Sequence, residues 1–253
     1  MVSLNAMMVT VGSPAVLNGR EGRLALAEFY CALLGMQVIR EDWLKIAKDA
    51  NSAFQVVLDE DGWSDLRPPR WPDPEYPQQV HFDIFADIEA AGKLVVAMGA
   101  VVLRDEGEHR VYADPAGHPF CLYADPSAAD ERGPGVIGRV VFDCFSRRAL
   151  ADFYGGLFGV DRRLEDSPER VVLALDDERY PDFAFQHAVF VQARWPDPAY
   201  PAQMHVDYRF GEESEAARER AERLGAIRLP KLSDTEIYAD PAGHPFCMDR
   251  AVV

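Results

Sequence analysis

The sequence has few cysteines and no long hydrophobic run. Its four cysteines stand singly among 253 residues, without the CxxC spacing of zinc or redox sites. We therefore expect reduced thiols and a cytoplasmic location. No apolar stretch approaches the roughly 20 residues of a membrane-spanning helix, and the N-terminus lacks the pattern of a secretion signal. These absences predict a soluble globular protein that has no membrane partner.

Basic residues are also scarce. Lys and Arg number 26 against 42 Asp and Glu, which gives a formal net charge of −16. Such a charge repels phosphate backbones, so we expect no nucleic-acid partner. The sequence also lacks a glycine-rich phosphate loop, a Ser-His-Asp arrangement and an HExxH motif. Nucleotide transfer, triad hydrolysis and zinc proteolysis are therefore not favoured.

Two motifs occur twice. The ten residues Tyr112–Cys121 return unchanged at Tyr238–Cys247. The block Arg70–Pro74, with the sequence RWPDP, returns at Arg194–Pro198. The repeat unit is therefore about half of the chain, which is the size of a domain rather than of a solenoid repeat.

Each half shows the same succession of structural signals. Apolar residues at helical spacing end at Gly35 in the first half and at Gly159 in the second, and three strand-like segments follow each helix. A second helix, capped by Asp87, begins another such unit. We predict an α+β fold of four βαβββ units, two to a domain, with curved mixed sheets and the helices outside. The predicted domains are residues 1–126 and 138–253, joined by a linker over 127–137.

The alternation of side chains along the strands separates a polar face from an apolar one. His81 and Asp83 share one face of their strand, opposite Phe82. The second copy repeats this pattern, and we predict one ligand-binding hollow in each domain. Gln55, His81 and Cys121 are expected to line the first hollow, and Gln186, His205 and Cys247 the second. The complete set of predicted ligand-binding residues is Gln55, Trp71, His81, Asp83, Cys121, Gln186, Trp195, His205, Asp207 and Cys247.

Other interpretations of these residues stay open. The cysteines are as suited to small buried positions as to reactive ones. Trp71 and Trp195 either cover the hollows or clamp a loop to the sheet. The aspartates either act as bases or hold an imidazole tautomer. His118 and His244 follow a tight-turn sequence and are expected at the surface or in stabilising the turn.

Together these motifs resemble the vicinal oxygen chelate superfamily. The similarity rests on the FY-x-x-LLG helix ending at Gly35, the strand that carries His81, the segment Met98–Ala100 and the Asp-Pro-x-Gly turn before the last strand. That superfamily includes glyoxalase I, extradiol dioxygenases, fosfomycin resistance enzymes and bleomycin-binding proteins. The sequence is most similar to the glyoxalase-like domains common in actinobacteria. The resemblance covers nearly the whole chain and implies the fold more strongly than a reaction.

The resemblance also implies a metal site on the first and last strands of the units. His81 and His205 fall where the superfamily has a histidine ligand. Cys121 and Cys247 fall where it usually has a glutamate, and the fourth strands carry Gln55 and Gln186. Thiolate, imidazole and amide groups can hold zinc, whereas iron oxygenases need two histidines and a carboxylate. The cofactor stays unknown, and the sequence favours none over a divalent metal ion.

The sequence therefore supports two hypotheses for function. The first is a protein that binds a small organic molecule, without the complete metal triad of its relatives. The alternative is a metal-dependent lyase, isomerase or dioxygenase that acts on a small organic substrate. The expected partner in either case is a small organic molecule, and the chain is expected to be a monomer or a homodimer.

Overall fold

The chain forms four units of strand, helix and three strands. The computed structural model describes residues 3–12, 20–59, 70, 73, 78–188, 203–231 and 235–248. The first unit consists of β1 (Ala6–Gly12), α1 (Arg20–Leu34), β2 (Gln37–Arg40), β3 (Lys45–Ala47) and β4 (Phe54–Asp59). The second consists of β5 (Val80–Ala86), α2 (Ile88–Ala97), β6 (Val101–Asp105), β7 (His109–Ala113) and β8 (Pro119–Ala124).

The second half repeats this order. The third unit consists of β9 (Gly135–Cys144), α3 (Arg147–Phe158), β10 (Arg163–Asp166), β11 (Arg170–Leu173) and β12 (Asp182–His187). The fourth consists of β13 (Met204–Arg209), α4 (Ser214–Arg223), β14 (Ile227–Arg228), β15 (Glu236–Ala239) and β16 (Pro245–Met248). The predicted α+β class and the four βαβββ units are confirmed. Strand β9 begins inside the segment that the sequence predicted as a linker.

The ends of the helices follow from local chemistry. Asp87 caps α2, since its side chain accepts hydrogen bonds from the amides of Glu89 and Ala90. Helix α3 ends at Gly159, whose φ of 75° lies in the left-handed region that glycine adopts without strain. Both boundaries agree with the sequence signals.

The sixteen strands form two eight-stranded sheets that combine units from opposite halves. The first sheet has the order β14-β15-β16-β13-β1-β4-β3-β2, and the second has the order β10-β11-β12-β9-β5-β8-β7-β6. In the first sheet β1 pairs antiparallel with β13, and in the second β5 pairs antiparallel with β9. Both sheets are curved, and neither closes into a barrel. Each half of the chain therefore contributes one unit to each sheet.

This pairing corrects the predicted grouping of residues. We expected the two units of one half to enclose one hollow. Instead, the first unit shares a sheet with the fourth, and the second unit shares a sheet with the third. The reason is that the first strand of each unit pairs with the first strand of a unit from the other half: β1 pairs with β13, and β5 pairs with β9.

The helices hold each half together across the two sheets. Phe29 of α1 packs on Phe120 of the second sheet, with ring centroids 5.8 Å apart. In the other half, Phe153 of α3 packs on Phe246 of the first sheet at 6.1 Å. The helix-facing residues of both sheets form one continuous hydrophobic core. The face of each sheet turned away from this core is called the open face below.

The repeated Asp-Pro-Ala-Gly-His motif forms a buried turn. Asp114 accepts hydrogen bonds from the amides of Ala116 and His118, and Gly117 has a φ of 93°. The hydroxyl group of Tyr30 donates to the same aspartate at 2.8 Å. The turn therefore meets helix α1 in the core, and Tyr154 makes the same contact with Asp240, so the identity of the turn in both halves has a structural cause.

Among the described residues, no helix is long and apolar enough to cross a membrane.

Candidate functional site

His81, Asp83 and Cys121 come together on the open face of the second sheet. His81 and Asp83 lie on β5, and Cys121 lies on the neighbouring strand β8, directly opposite Asp83. One potential ligand atom from each of the three lies within 4.8 Å of the others. His81 Nε2 is 3.7 Å from Asp83 Oδ1. All three residues are buried.

The first sheet carries the repeat-equivalent cluster of His205, Asp207 and Cys247. Their potential ligand atoms also lie within 4.8 Å of one another. His205 Nε2 is 3.6 Å from Asp207 Oδ2. That same oxygen accepts a hydrogen bond of 3.0 Å from the hydroxyl group of Thr10. Strand alternation therefore identified three residues on the open face of each sheet.

The two predicted glutamines lie in the opposite sheets from those expected. Gln55 is on β4 of the first sheet, with His205 rather than with His81. Gln186 is on β12 of the second sheet, with His81 rather than with His205. Trp71 and Trp195 lie outside the described residues, and their predicted roles stay predictions.

The glutamines are also not structural equivalents of each other. Gln55 lies in the same cross-strand row as Asp207. The equivalent row of the second sheet contains Asp83 and Asp182. Gln186 lies four positions beyond Asp182 along β12. The matching pairs Phe54-Gln55 and Phe185-Gln186 therefore do not occupy equivalent positions. The two open faces have no glutamine at the same place.

Two arginines converge on Asp83. Arg139 Nη1 lies 3.3 Å and Arg170 Nη1 3.6 Å from Asp83 Oδ2. The guanidinium group of Arg139 also lies over the rings of Phe85 and Tyr123, at 4.8 and 5.7 Å from their centroids. The second open face therefore has a charged, aromatic character that the predicted site did not include.

A second carboxylate, Asp143, lies beneath His81. Its Oδ1 is 3.9 Å from His81 Nδ1, which is too long for a hydrogen bond. Both atoms are buried and have no hydrogen-bond partner among the described residues. Burial raises the pKa of Asp143 to about 6, although the neighbouring imidazole of His81 and a hydrogen bond between the Gln78 side chain and this carboxylate lower it. Buried polar atoms without protein partners are uncommon and often mark the place of a bound water, ion or ligand.

The cysteine thiol of this cluster is protonated at neutral pH. Burial and the nearby Asp83 carboxylate raise the pKa of Cys121 well above its ordinary value. A protonated thiol is a weak nucleophile, so the geometry gives no support to Cys121 as an attacking group unless a metal or ligand changes its charge.

Sequence reasoning missed Arg139, Arg170 and Asp143. Arg139 and Asp143 interrupt the otherwise apolar strand β9, whose sequence is GVIGRVVFDC. A charged side chain in such a strand has to be paired or to serve a site. The two charged residues could therefore have indicated a site on β9. The prediction placed β9 in the hollow of the other domain, so it did not bring Arg139 next to Asp83.

His118 and His244 were expected at the surface or in stabilising the turn. The surface interpretation is wrong, since both side chains are almost fully buried. The stabilising interpretation is correct, because His118 Nδ1 lies 3.3 Å from Asp114 Oδ2 and His244 Nδ1 lies 3.0 Å from Asp240 Oδ2. Burial would lower the pKa of His244, but the Asp240 carboxylate raises it above its usual value.

Two contacts join the sheets behind the open faces. His244, which precedes β16 of the first sheet, has its Nε2 at 3.0 Å from the backbone carbonyl of Asp143 in the second sheet. Gln79 and Gln203 form a reciprocal pair, in which the backbone N–H of each residue donates to the side-chain oxygen of the other at 3.1 Å. These contacts connect the two sheets that carry the clusters.

Each cluster has the donor types of a zinc site. Imidazole, carboxylate and thiolate suit a tetrahedral ion, in which ligand atoms lie about 3.4 Å apart for bonds of about 2.1 Å. The His–Asp distances of 3.7 and 3.6 Å are close to this spacing. The arginines beside Asp83 oppose a cation in the second sheet, because they compete for the carboxylate and repel positive charge. In the first sheet Met8 takes the place of Arg139 opposite the aspartate. The cluster of the first sheet, which contains His205, therefore fits a metal ion better than the cluster of the second sheet, which contains His81.

Comparison with known families agrees with this architecture. A family model described as a glyoxalase-like domain matches residues 16–123 and again residues 139–248. The chain belongs to the glyoxalase-like domain family. This agrees with the resemblance that the sequence motifs indicated. The comparison with curated proteins gave no match.

Two solved structures share the fold over nearly all of this chain. A glyoxalase I variant from Zea mays matches with a TM-score of 0.64 and 19% identity, covering 97% of this chain and 92% of the other. A putative dioxygenase from Bacillus subtilis subsp. subtilis str. 168 matches with a TM-score of 0.58 and 12% identity, covering 99% and 86%. At these identities, the similarity shows that the glyoxalase-like chain has the same fold, and it does not show that the chain catalyses the same reaction.

Proposed function

We propose that this glyoxalase-like protein binds a small organic molecule on the open face of the second sheet and does so without a metal ion. The observation that supports this most directly is the buried pair of His81 Nδ1 and Asp143 Oδ1, neither of which has a protein partner among the described residues. A ligand with a donor or acceptor group at this point would satisfy atoms that the protein leaves unpaired.

The surroundings of this pair favour an organic ligand over an ion. Arg139 and Arg170 place two positive groups beside Asp83, and a divalent cation bound to that carboxylate would be repelled by both. Aromatic side chains beside the arginines supply apolar surface. The mixture of a few polar groups with aromatic walls is typical of small-molecule sites.

The test is a ligand screen by thermal shift on the full chain after treatment with EDTA. The compounds are small acids, amines and neutral aromatics of matched size. We expect at least one class to raise the melting temperature, and His81→Ala to abolish that increase. His205→Ala is the matched control, because His205 is the repeat equivalent in the first sheet, and it is expected to keep the increase. Loss in the control only, or no stabilisation by any compound, contradicts the proposal.

The alternative is a metal-dependent enzyme, and the first sheet favours it. His205, Asp207 and Cys247 would hold a zinc-type ion there, which supplies a Lewis acid that polarises a substrate oxygen. The chain's own contribution is positional: Thr10 donates a hydrogen bond to Asp207 and fixes the carboxylate.

Elemental analysis of the purified protein distinguishes the two functions. Near-stoichiometric zinc, nickel, manganese or iron that is lost in His205→Ala and kept in His81→Ala would support an enzyme with its metal in the first sheet. Metal lost in His81→Ala would contradict the proposed metal-free site. Absence of metal from protein purified without chelators, together with His81-dependent ligand binding, supports the leading proposal.

A further inference from the structure

We propose that the ligand of the second open face is an organic anion, a small carboxylate on a flat apolar body, and that Arg139 and Arg170 recognise its charged group. This inference rests on the proposed function, because it assumes that the second open face is a binding site. It adds the chemical class of the ligand.

The first argument is the convergence of the two guanidinium groups. Arg139 comes from β9 and Arg170 from β11, which are separated by β12 in the sheet. Their Nη1 atoms nevertheless reach the same oxygen of Asp83, at 3.3 and 3.6 Å. Two arginines that point at one place from different strands form the arrangement that holds a carboxylate in many binding sites.

The second argument is the small number of hydrogen bonds that the Arg139 guanidinium group donates among the described residues. Its one hydrogen bond among the described residues goes from Nη1 to Asp83. A guanidinium group has five N–H donors, so most of its donors are open to another acceptor. The side chain is 20% exposed, which leaves part of it accessible to a ligand. Arg170 differs, since it is also bonded to Glu165 and Tyr123.

The third argument is the row of rings beneath the guanidinium group. Phe85 and Tyr123 pack with centroids 5.7 Å apart, and Tyr123 stacks on His109 at 4.8 Å. All three side chains are half-buried. Arg139 lies over the first two of these rings, which restricts its movement before any ligand binds. A flat apolar body beside these rings would place its carboxylate at the arginine.

The first sheet provides an internal comparison. Its residue opposite Asp207 is Met8, whereas the residue opposite Asp83 is Arg139. A methionine offers no positive charge and no N–H donor. The anion site is therefore assigned to the second sheet, where two guanidinium groups contact the aspartate of the cluster.

The experiment compares three isosteric probes, benzoate, benzamide and benzamidine, by calorimetric or NMR titration of the full EDTA-treated chain. We expect benzoate to bind about tenfold or more tightly than either of the others, as befits charge-assisted hydrogen bonds. Arg139→Met, which reproduces the residue of the first sheet, is expected to weaken benzoate binding by about tenfold or more.

The chain offers a matched control at Arg179. Its guanidinium group also lies over a tyrosine ring, at 5.2 Å from the Tyr180 centroid, and is paired with Asp177. It lines a different cleft, of about 700 Å³, between the two sheets. Arg179→Met is expected to leave benzoate affinity unchanged. An equal loss in both variants would place the binding outside the second open face and overturn the inference.

A second variant guards against loss of affinity through misfolding. Asp83→Asn removes the carboxylate that competes for both arginines, so we expect benzoate to bind several-fold more tightly, a gain that a damaged protein does not produce. Unchanged or weaker binding in Asp83→Asn overturns the inference. If benzamide or benzamidine binds as well as benzoate and the binding is lost in His81→Ala, the proposed function stands and the anion inference fails. If no probe and no screened compound binds in a His81-dependent way, both fail.

Discussion

Tyr30 of α1 donates a 2.8 Å hydrogen bond to Asp114, which lies 84 positions further along the chain in the turn between β7 and β8. Tyr154 makes the same bond to Asp240 at 3.0 Å. Each bond joins the helix of one unit to the turn before the last strand of the next unit. The two halves are therefore built around the same buried contact, which fixes a helix to a turn.

Removing the phenol hydroxyl should destabilise the fold. Tyr30→Phe leaves a buried carboxylate with one partner fewer, and we expect a loss of about 1–3 kcal/mol in the free energy of unfolding. Urea denaturation followed by circular dichroism measures this. Tyr238→Phe is the control, because Tyr238 is buried and stacks on Phe246, but its hydroxyl group makes no hydrogen bond among the described residues. An equal loss in both variants would contradict the role assigned to Asp114.

Stability should depend on the charge of Asp143. Burial raises its pKa from 3.8 to about 6, so the folded state binds the proton more tightly than the unfolded state does. The resulting destabilisation is absent at low pH and grows as pH rises from about 4 to about 6, with an upper limit of about 3 kcal/mol. In EDTA, the stability of Asp143→Asn relative to the parent protein should increase across that window and level off above it. Parallel pH profiles for the two proteins would refute the assignment.

The thiols should react in an order set by burial. Cys121, Cys144 and Cys247 are buried, and Cys31 is partly exposed. Burial and Glu28 raise the pKa of Cys31 to about 11, so even this thiol is expected to react slowly at neutral pH and faster as pH rises. Mass spectrometry after iodoacetamide treatment of the native protein should find Cys31 labelled first. Early labelling of Cys121 or Cys247 would mean that the open faces are more accessible than the structure indicates.

An isolated first half should not remain a folded monomer. Residues 1–126 contain β1 and β5, whose sheet partners β13 and β9 belong to the other half. Since β13 is the repeat equivalent of β5, two copies can restore both sheets by pairing β1 of one with β5 of the other. We expect a dimer in light scattering after size-exclusion chromatography. A stable folded monomer would contradict the importance of the cross-half pairing.

The sequence predicted the units well because their signals are local. The end of α3 at Gly159 and the cap of α2 at Asp87 depend on neighbouring residues, and both were identified correctly. The face of β5 that carries His81 and Asp83 followed from alternation alone. These features need no knowledge of distant contacts.

The association of the units could not be predicted in the same way. All four units carry similar patterns, so nothing local states whether β1 pairs with β5 of its own half or with β13 of the other. The placement of Gln55 with His81 failed for this reason. The alignment of Gln55 with Gln186 failed because a short sequence match does not fix the register of a strand. Arg139 was overlooked because its partner, Asp83, lies in the other half.

The cross-half pairing of β1 with β13 and of β5 with β9 has an evolutionary consequence. Neither open face is encoded by one segment of the gene, so each site depends on residues from both copies of the duplicated sequence. The second face has Arg139 where the first has Met8, so the two faces differ at a position on the first strand of a single unit in each sheet.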